Sequence, residues 1–232
     1  HSSHEFGIFD PKTQQARKNA DDAFKQILDW WEKEGKKQGV QLAVISDHGH
    51  GEVCAHFDLK GKLIENGWKV FSGKDLAEGH SVDECDLVMV GDYTLGLWLT
   101  QPNEDKLLRL RDELMALDEV GMIFSQPKEH ACIEDIEGRI PGTFSEALVF
   151  SDHPRGPDIR VTMRNNPQNG KLIMGASLEI GAGNHGGLLP VEIRSLLAIQ
   201  GDRFNSSELT HTEPAGHDDF ALTVMKLMDL TD

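Results

Sequence analysis

Cysteine is scarce in this sequence. Cys54, Cys85 and Cys132 lie far apart and form no Cys-x-x-Cys, so they read as ordinary thiols, not as a disulfide framework or a zinc cluster. Long apolar runs are also missing, and none approaches the ~18 residues that a membrane helix needs. Positive charge is in deficit: 23 basic side chains face 39 acidic ones, for a net charge of −16. That balance argues against a nucleic acid duplex as partner, because nothing would neutralise its phosphates. A small phosphorylated substrate stays compatible, since a bound metal ion supplies local positive charge. There is no initiator methionine, no basic n-region and no apolar h-region. The opening His1-Ser2-Ser3-His4 therefore reads as the interior of a longer polypeptide, and the compartment is not legible. No internal repeat or low-complexity tract is present.

What is present suits a soluble globular protein: 232 residues, 38% hydrophobic and 27% charged. A chain of that length buries about 70% of its unfolded surface on folding. Pro11 opens a helical pattern in which Ala16, Ala20, Phe24, Ile27, Leu28 and Trp31 recur at helical spacing, and Gly35 and Gly39 end it. Val40 to Ile45 is a short apolar strand, expected to be buried on both faces. It runs into Ser46-Asp47-His48-Gly49-His50-Gly51. Helix, strand and polar glycine loop is the pattern of a doubly wound sheet, where ligands bind beyond the carboxyl ends of strands.

Further along, Cys85 to Val90 is a second apolar segment. Residues 103–118 form an amphipathic helix with Leu107, Leu110, Leu114 and Leu117 on one face. From about 120 to 170 the pattern becomes short strands with turns: Gly121 to Phe124, Ala147 to Phe150 and Asp158 to Met163, punctuated by Pro154, Pro157 and Pro167. We read 92–165 as an inserted cap-like subdomain. Ser195 to Ile199 is a further strand, and a helix near 214–230 closes the chain. Asn205-Ser206-Ser207 fits a glycosylation sequon, a match short enough to arise by chance.

Three places carry ligand-type side chains. In Asp47-His48-Gly49, carboxylate and imidazole both suit zinc and similar divalent ions, and Gly49 lets the backbone turn between them. The same residues fit a polar loop in which Asp47 caps a turn. In Gly183-Asn184-His185-Gly186-Gly187, a histidine among glycines has free access to a ligand, and it equally fits a flexible turn. Gly181 to Gly186 is also a formal Gly-x-Gly-x-x-Gly, but Pro190 falls where a dinucleotide-binding helix should already be running. His4, with His1 three residues before it, has no meaning from spacing alone; a tag remnant would look the same. His50 forms a His-x-His pair with His48 that can chelate, and a supporting or surface role is its expected reading.

In this order the pieces resemble the alkaline phosphatase superfamily, and within it the type I phosphodiesterase/nucleotide pyrophosphatase family. A histidine segment (Ser3-His4-Glu5-Phe6-Gly7) leads into a long helix, a strand ends in Ser-Asp-His-Gly (46–49), a variable region follows, and a Gly-x-His-Gly loop (183–186) leads to an Arg-x-Leu-Leu-Ala strand (194–198). The resemblance implies an α/β fold: an alkaline phosphatase-like sheet flanked by helices, with an inserted α+β cap subdomain. Residues 1–91 would form part of the metal-binding core, 92–165 the cap, and 166–232 the return to the core with the later ligand. It implies two divalent metal ions, commonly zinc. Asp47 and His48 match the ligand pair of one ion, and His4 and His185 match two ligands of the other. The remaining ligands and the Thr or Ser nucleophile match nothing in this chain, so the resemblance implies a C-terminal half that works with the N-terminal half of the same polypeptide. The implied activity is hydrolysis of phosphodiester or pyrophosphate bonds in a small phosphate ester, through a covalent phospho-Thr or phospho-Ser intermediate, with the isolated chain inactive. Alternatives are another superfamily hydrolase (sulfatase, phosphonate hydrolase or phosphomutase) or a non-catalytic metal- or ligand-binding relative.

Overall fold

The structure is a computed structural model, in which residues 1–129, 135–176, 180–204 and 216–230 are described. The sequon at 205–207, His130, His211, Cys132 and the start of the expected closing helix lie outside them. The elements in chain order are α1 (Ser2–Phe6), α2 (Pro11–Trp30), β1 (Leu42–Ile45), β2 (Gly51–His56), α3 (Leu59–Glu65), β3 (Val70–Ser72), α4 (Gly73–Ala77), β4 (Leu87–Gly91), β5 (Thr94–Leu99), α5 (Glu104–Met115), β6 (Val120–Ser125), β7 (Phe144–Ser145), β8 (Ile159–Met163), β9 (Leu172–Met174), β10 (Gly183–Asn184), α6 (Pro190–Ile193), β11 (Leu197–Gln200) and α7 (His217–Leu227). The chain is mixed α/β, with a mixed sheet flanked by helices. No helix among the described residues is long and apolar enough to cross a membrane.

Two compact units divide it: His1–Ala16 with His50–Ile193, and Arg17–Gly49 with Arg194–Asp232. The first unit is built on a six-stranded sheet of order β3-β4-β5-β8-β6-β7, parallel at its two outer pairs and antiparallel between. β5, β6, β7 and β8, all within 92–165, thus share one sheet with β3 and β4. The alternation of Leu95, Leu97 and Leu99 on β5 points one face into the core, where they join Leu87, Ile159, Val161 and Met163. Leu110 and Leu114 of α5 are fully buried there and Leu107 and Leu117 pack alongside, as the periodicity predicts. Asn103 starts α5 by accepting a hydrogen bond from the Lys106 amide (2.9 Å). A second, three-stranded sheet has the order β10-β2-β9.

One strand expectation fails. Ala147 to Phe150 is no strand: Glu146–Val149 is a 3-10 turn, capped when the Ser145 hydroxyl accepts from the Ala147 amide (3.3 Å). The buried Glu146 carboxylate is held there by Arg160, so an ion pair and a cap override β propensity.

In the second unit the π turn Trp31–Gly35 and the 3-10 turn Lys36–Gln38 extend α2, and the left-handed Gly39 (φ 69°) ends the run. Trp31 is buried, and its indole N–H donates to the Val40 carbonyl (2.8 Å), which fixes the entry into β1. Among the described residues β1 pairs with β11 alone, antiparallel, from Leu42 opposite Gln200 to Ile45 opposite Leu197. The expectation of burial on both faces is corrected: the strand alternates half-buried with exposed, and Ile45 is 40% exposed. Continuous apolarity sets what a strand can bury, but neighbouring layers decide what it does bury.

Candidate metal centre

Asp47 and His48 follow β1 directly. The strand end is clamped twice: the Ser46 amide donates to the Leu196 carbonyl (2.9 Å), and the Leu196 amide donates to the Ser46 hydroxyl (2.7 Å). Beyond the clamp the backbone carries both ligand-type side chains to the surface, Asp47 at 86% exposure and His48 at 32%. The His48 amide donates to Asp47 Oδ1 (3.0 Å). The His48 ring places Nδ1 2.7 Å from the Gly49 carbonyl. A carbonyl only accepts, so Nδ1 carries a proton and Nε2 is the ring nitrogen turned toward other partners. His48 Nε2 stands 3.4 Å from Asp47 Oδ2. Two donors bound at about 2.0–2.1 Å to one tetrahedral ion stand about 3.3 Å apart. The distance between the two side chains is that of two donors sharing one cation.

In the other unit, His4 and His185 are brought together by different elements. His4 lies on α1, a single turn secured where the Thr13 hydroxyl of α2 donates to the Ser2 carbonyl (3.0 Å). His185 follows β10. The α1 backbone packs directly on this region: a side chain at Gly7 would collide with the Gly181 carbonyl, and a Cβ at Gly183 would stand 2.5 Å from the Ser3 carbonyl. These glycines let two backbones approach closely enough for the His4 and His185 rings to lie 5.0 Å apart between centroids.

The loop after His185 is held from below. Glu192, 2% exposed, accepts from the amides of Gly187 (3.0 Å) and Leu189 (3.4 Å). Burial raises its carboxyl above the usual carboxylate value, and those two amide bonds oppose the rise. The Thr94 hydroxyl on β5 donates to the Gly186 carbonyl. Beside this loop, Thr94, Ser151, Arg160, Thr162 and Gly186 line a cavity of about 220 Å³. Arg160 meets Glu146 through both carboxylate oxygens (3.2 and 3.1 Å). Burial pushes Glu146 upward, and Arg160 pulls it back. None of Thr94, Glu146, Arg160 or Glu192 had a motif; their roles follow from sheet neighbours far away in sequence.

The four expected ligands thus fall as two pairs, Asp47 with His48 and His4 with His185, one in each unit. As the side chains stand, no group of three His, Cys, Asp or Glu among the described residues is arranged to hold an ion. The formal Gly-x-Gly-x-x-Gly at 181–186 contains β10 and is followed only by the four-residue α6, so the long phosphate-binding helix of a dinucleotide site is not there.

The scaffold is mixed α/β, and ligand-type imidazole and carboxylate side chains follow its strand ends. The family follows from comparison. A model of the type I phosphodiesterase / nucleotide pyrophosphatase family matches residues 1–128, more than half of the sequence, and the chain belongs to that family. The matched stretch contains His4, Asp47, His48 and His50; His185 lies beyond it. No curated protein and no solved structure matches the chain.

Proposed function

We propose that this chain is the metal-binding part of a hydrolase that cleaves phosphodiester or pyrophosphate bonds in a small phosphate ester. The observation that carries the reading is the Asp47–His48 pair, with its 3.4 Å spacing and the His48 ring held by Gly49. Family membership supplies the reaction class. Asp47 and His48 would hold one divalent ion, and His4 and His185 would contribute to a second. Carboxylate and imidazole donors suit zinc. A bound divalent ion supplies Lewis-acid charge to phosphoryl oxygens and lowers the pKa of a hydroxyl.

The chain's own residues bind and orient. Gly49 holds the His48 ring, Glu192 and Thr94 hold the His185 loop, and Arg160 faces the adjoining cavity with donors suited to an anionic oxygen. No residue here is assigned the nucleophile's role. The Thr or Ser that would carry a covalent phosphoryl group lies, in this reading, in a segment outside residues 1–232, and the chain alone is expected to be inactive. Clear zinc-dependent phosphodiesterase activity of purified 1–232 would refute that last point. Metal content of the wild type against His48→Ala and His185→Ala tests the ligand assignment. Each variant is expected to lose bound zinc; if both retain the wild-type content, the reading is wrong.

A further inference from the structure

The third ring at the His4–His185 cluster is His50. Its centroid lies 4.5 Å from that of His4 and 5.1 Å from that of His185, closing a triangle whose remaining side is 5.0 Å. The placement is built into the sheet. β10 and β2 pair antiparallel with Asn184 opposite Gly51 and Gly183 opposite Glu52. One step outward along that ladder sets His185 against His50, and residues opposed in this way have Cβ atoms about 4.5–5.5 Å apart. The ladder continues on the other side, where the Val53 amide donates to the Ala182 carbonyl and the Gly181 amide to the Val53 carbonyl (both 2.8 Å). The His50 ring then fills the space that Gly183 leaves open, where a Cβ would stand 2.9 Å from His50 Cδ2.

We propose that His50 is a third imidazole ligand of the ion assigned to His4 and His185, an inference that rests on the reading that those two bind a metal. Three imidazoles bound at about 2.0–2.1 Å to one tetrahedral ion have ring centroids about 5 Å apart. All three sides of the triangle are close to that spacing. The rings are not aimed as a ligand set where they stand. Aim is the adjustable quantity: the bond from Cβ to the ring points nearly through the ring centre, and rotation about it is broad and roughly two-fold for histidine. Rotation about that bond re-aims each ring's nitrogens and leaves its centroid almost fixed. Three neutral nitrogen donors select a zinc-like first-row ion over magnesium or calcium, which prefer oxygen.

Zinc titration of the 232-residue chain, read by a competing chromophoric chelator and by ring-nitrogen NMR of the histidines, tests this. The expected result is that zinc shifts a ring nitrogen of His50 together with those of His4 and His185. Zinc affinity at that site should fall more than about 100-fold in His50→Ala and in His50→Gln, beyond the 10- to 100-fold typical of a residue that merely supports a ligand. Melting curves in EDTA, matched between variant and wild type, keep that comparison one of binding. If His4 and His185 shift while the His50 nitrogens do not move, the inference is overturned and the metal reading stands. If no histidine shifts at any zinc concentration, both fall. The wild-type NMR result decides even where a variant fails to fold.

Discussion

Replacing Gly183 with alanine inserts one methyl group where two backbones meet. Its Cβ would stand 2.5 Å from the Ser3 carbonyl oxygen and 2.9 Å from His50 Cδ2. The first contact is with backbone, which cannot swing aside, so α1 must move away from β10 by a sizeable fraction of an ångström. Overpacking of this kind costs about 1–3 kcal/mol. For a chain of this size that lowers Tm by something on the order of 2–10 °C. Thermal denaturation in EDTA, followed by circular dichroism, reads it directly. Gly73→Ala is the control, since a Cβ there meets nothing within 4 Å. That substitution is expected to be neutral or to stabilise by up to about 1 kcal/mol. A second readout is the rise in Tm that zinc produces, which follows the ratio of free zinc to Kd. It should shrink in Gly183→Ala because His4 is carried away with α1. If Gly183→Ala melts at or above the wild-type temperature in EDTA, the close approach of α1 and β10 is not what holds this cluster together.

Three further outcomes are expected. Glu192→Gln keeps one acceptor for the Gly187 and Leu189 amides but turns an NH₂ toward the other, at a cost of about 1–3 kcal/mol. Burial raises the Glu192 pKa, so the stability this group contributes is complete below 4.5 and fades as pH rises through its elevated folded value; denaturant melts across pH should show the wild-type advantage shrinking in that direction. Arg160→Ala strands the fully buried Glu146 and should cost about 3 kcal/mol at neutral pH, the low end for a buried pair because a quarter of Arg160 is exposed. Pairing Arg160→Met with Glu146→Gln should recover most of that loss in urea melts, and a single-variant loss below about 1 kcal/mol would show that the pair does not anchor this turn. Asp75 is held below its ordinary 3.8 chiefly by Lys60, then by the Ser72 hydroxyl and amide, so its contribution is present above 3.8 and lost as pH falls from there. Acid titration of stability should accordingly be shallower in Asp75→Asn than in the wild type.

How much of this was readable beforehand depends on the range of the interactions that decide each element. α2, α5, β4, β6 and β8 were legible because each is settled by its own periodicity and caps. β2 and β9 were not. Gly51–His56 begins with glycine in a loop-like run, and Leu172–Met174 is three residues long, so neither carries a pattern until its neighbour is known. The same limit applies to the Ala147–Phe150 segment. Its short apolar run suits a strand, but Glu146 and Arg160 fix it as a turn, and they meet only because β8 runs through the middle of the sheet.

The candidate ligands divide along the same line. Asp47 and His48 are adjacent in sequence, and their geometry is local: a strand end, a glycine and a ring proton. His4 and His185 could be singled out only by the order of motifs in a family, since nothing in their own neighbourhoods says they meet. His50 had neither advantage. Its expected role was minor because sequence spacing relates it to His48, two residues away, whereas the backbone relates it to His185 across a ladder. In an antiparallel pair a shift of one residue turns every side chain to the opposite face. The meeting of His50 with His185 therefore rests on the register that sets Asn184 against Gly51. A one-residue insertion between His50 and Val53 would leave the Ser-Asp-His-Gly motif intact yet remove His50 from the triangle. It should lower zinc affinity at His4 and His185 as far as His50→Ala does, and wild-type affinity in such an insertion variant would separate the cluster from the register that is argued to build it.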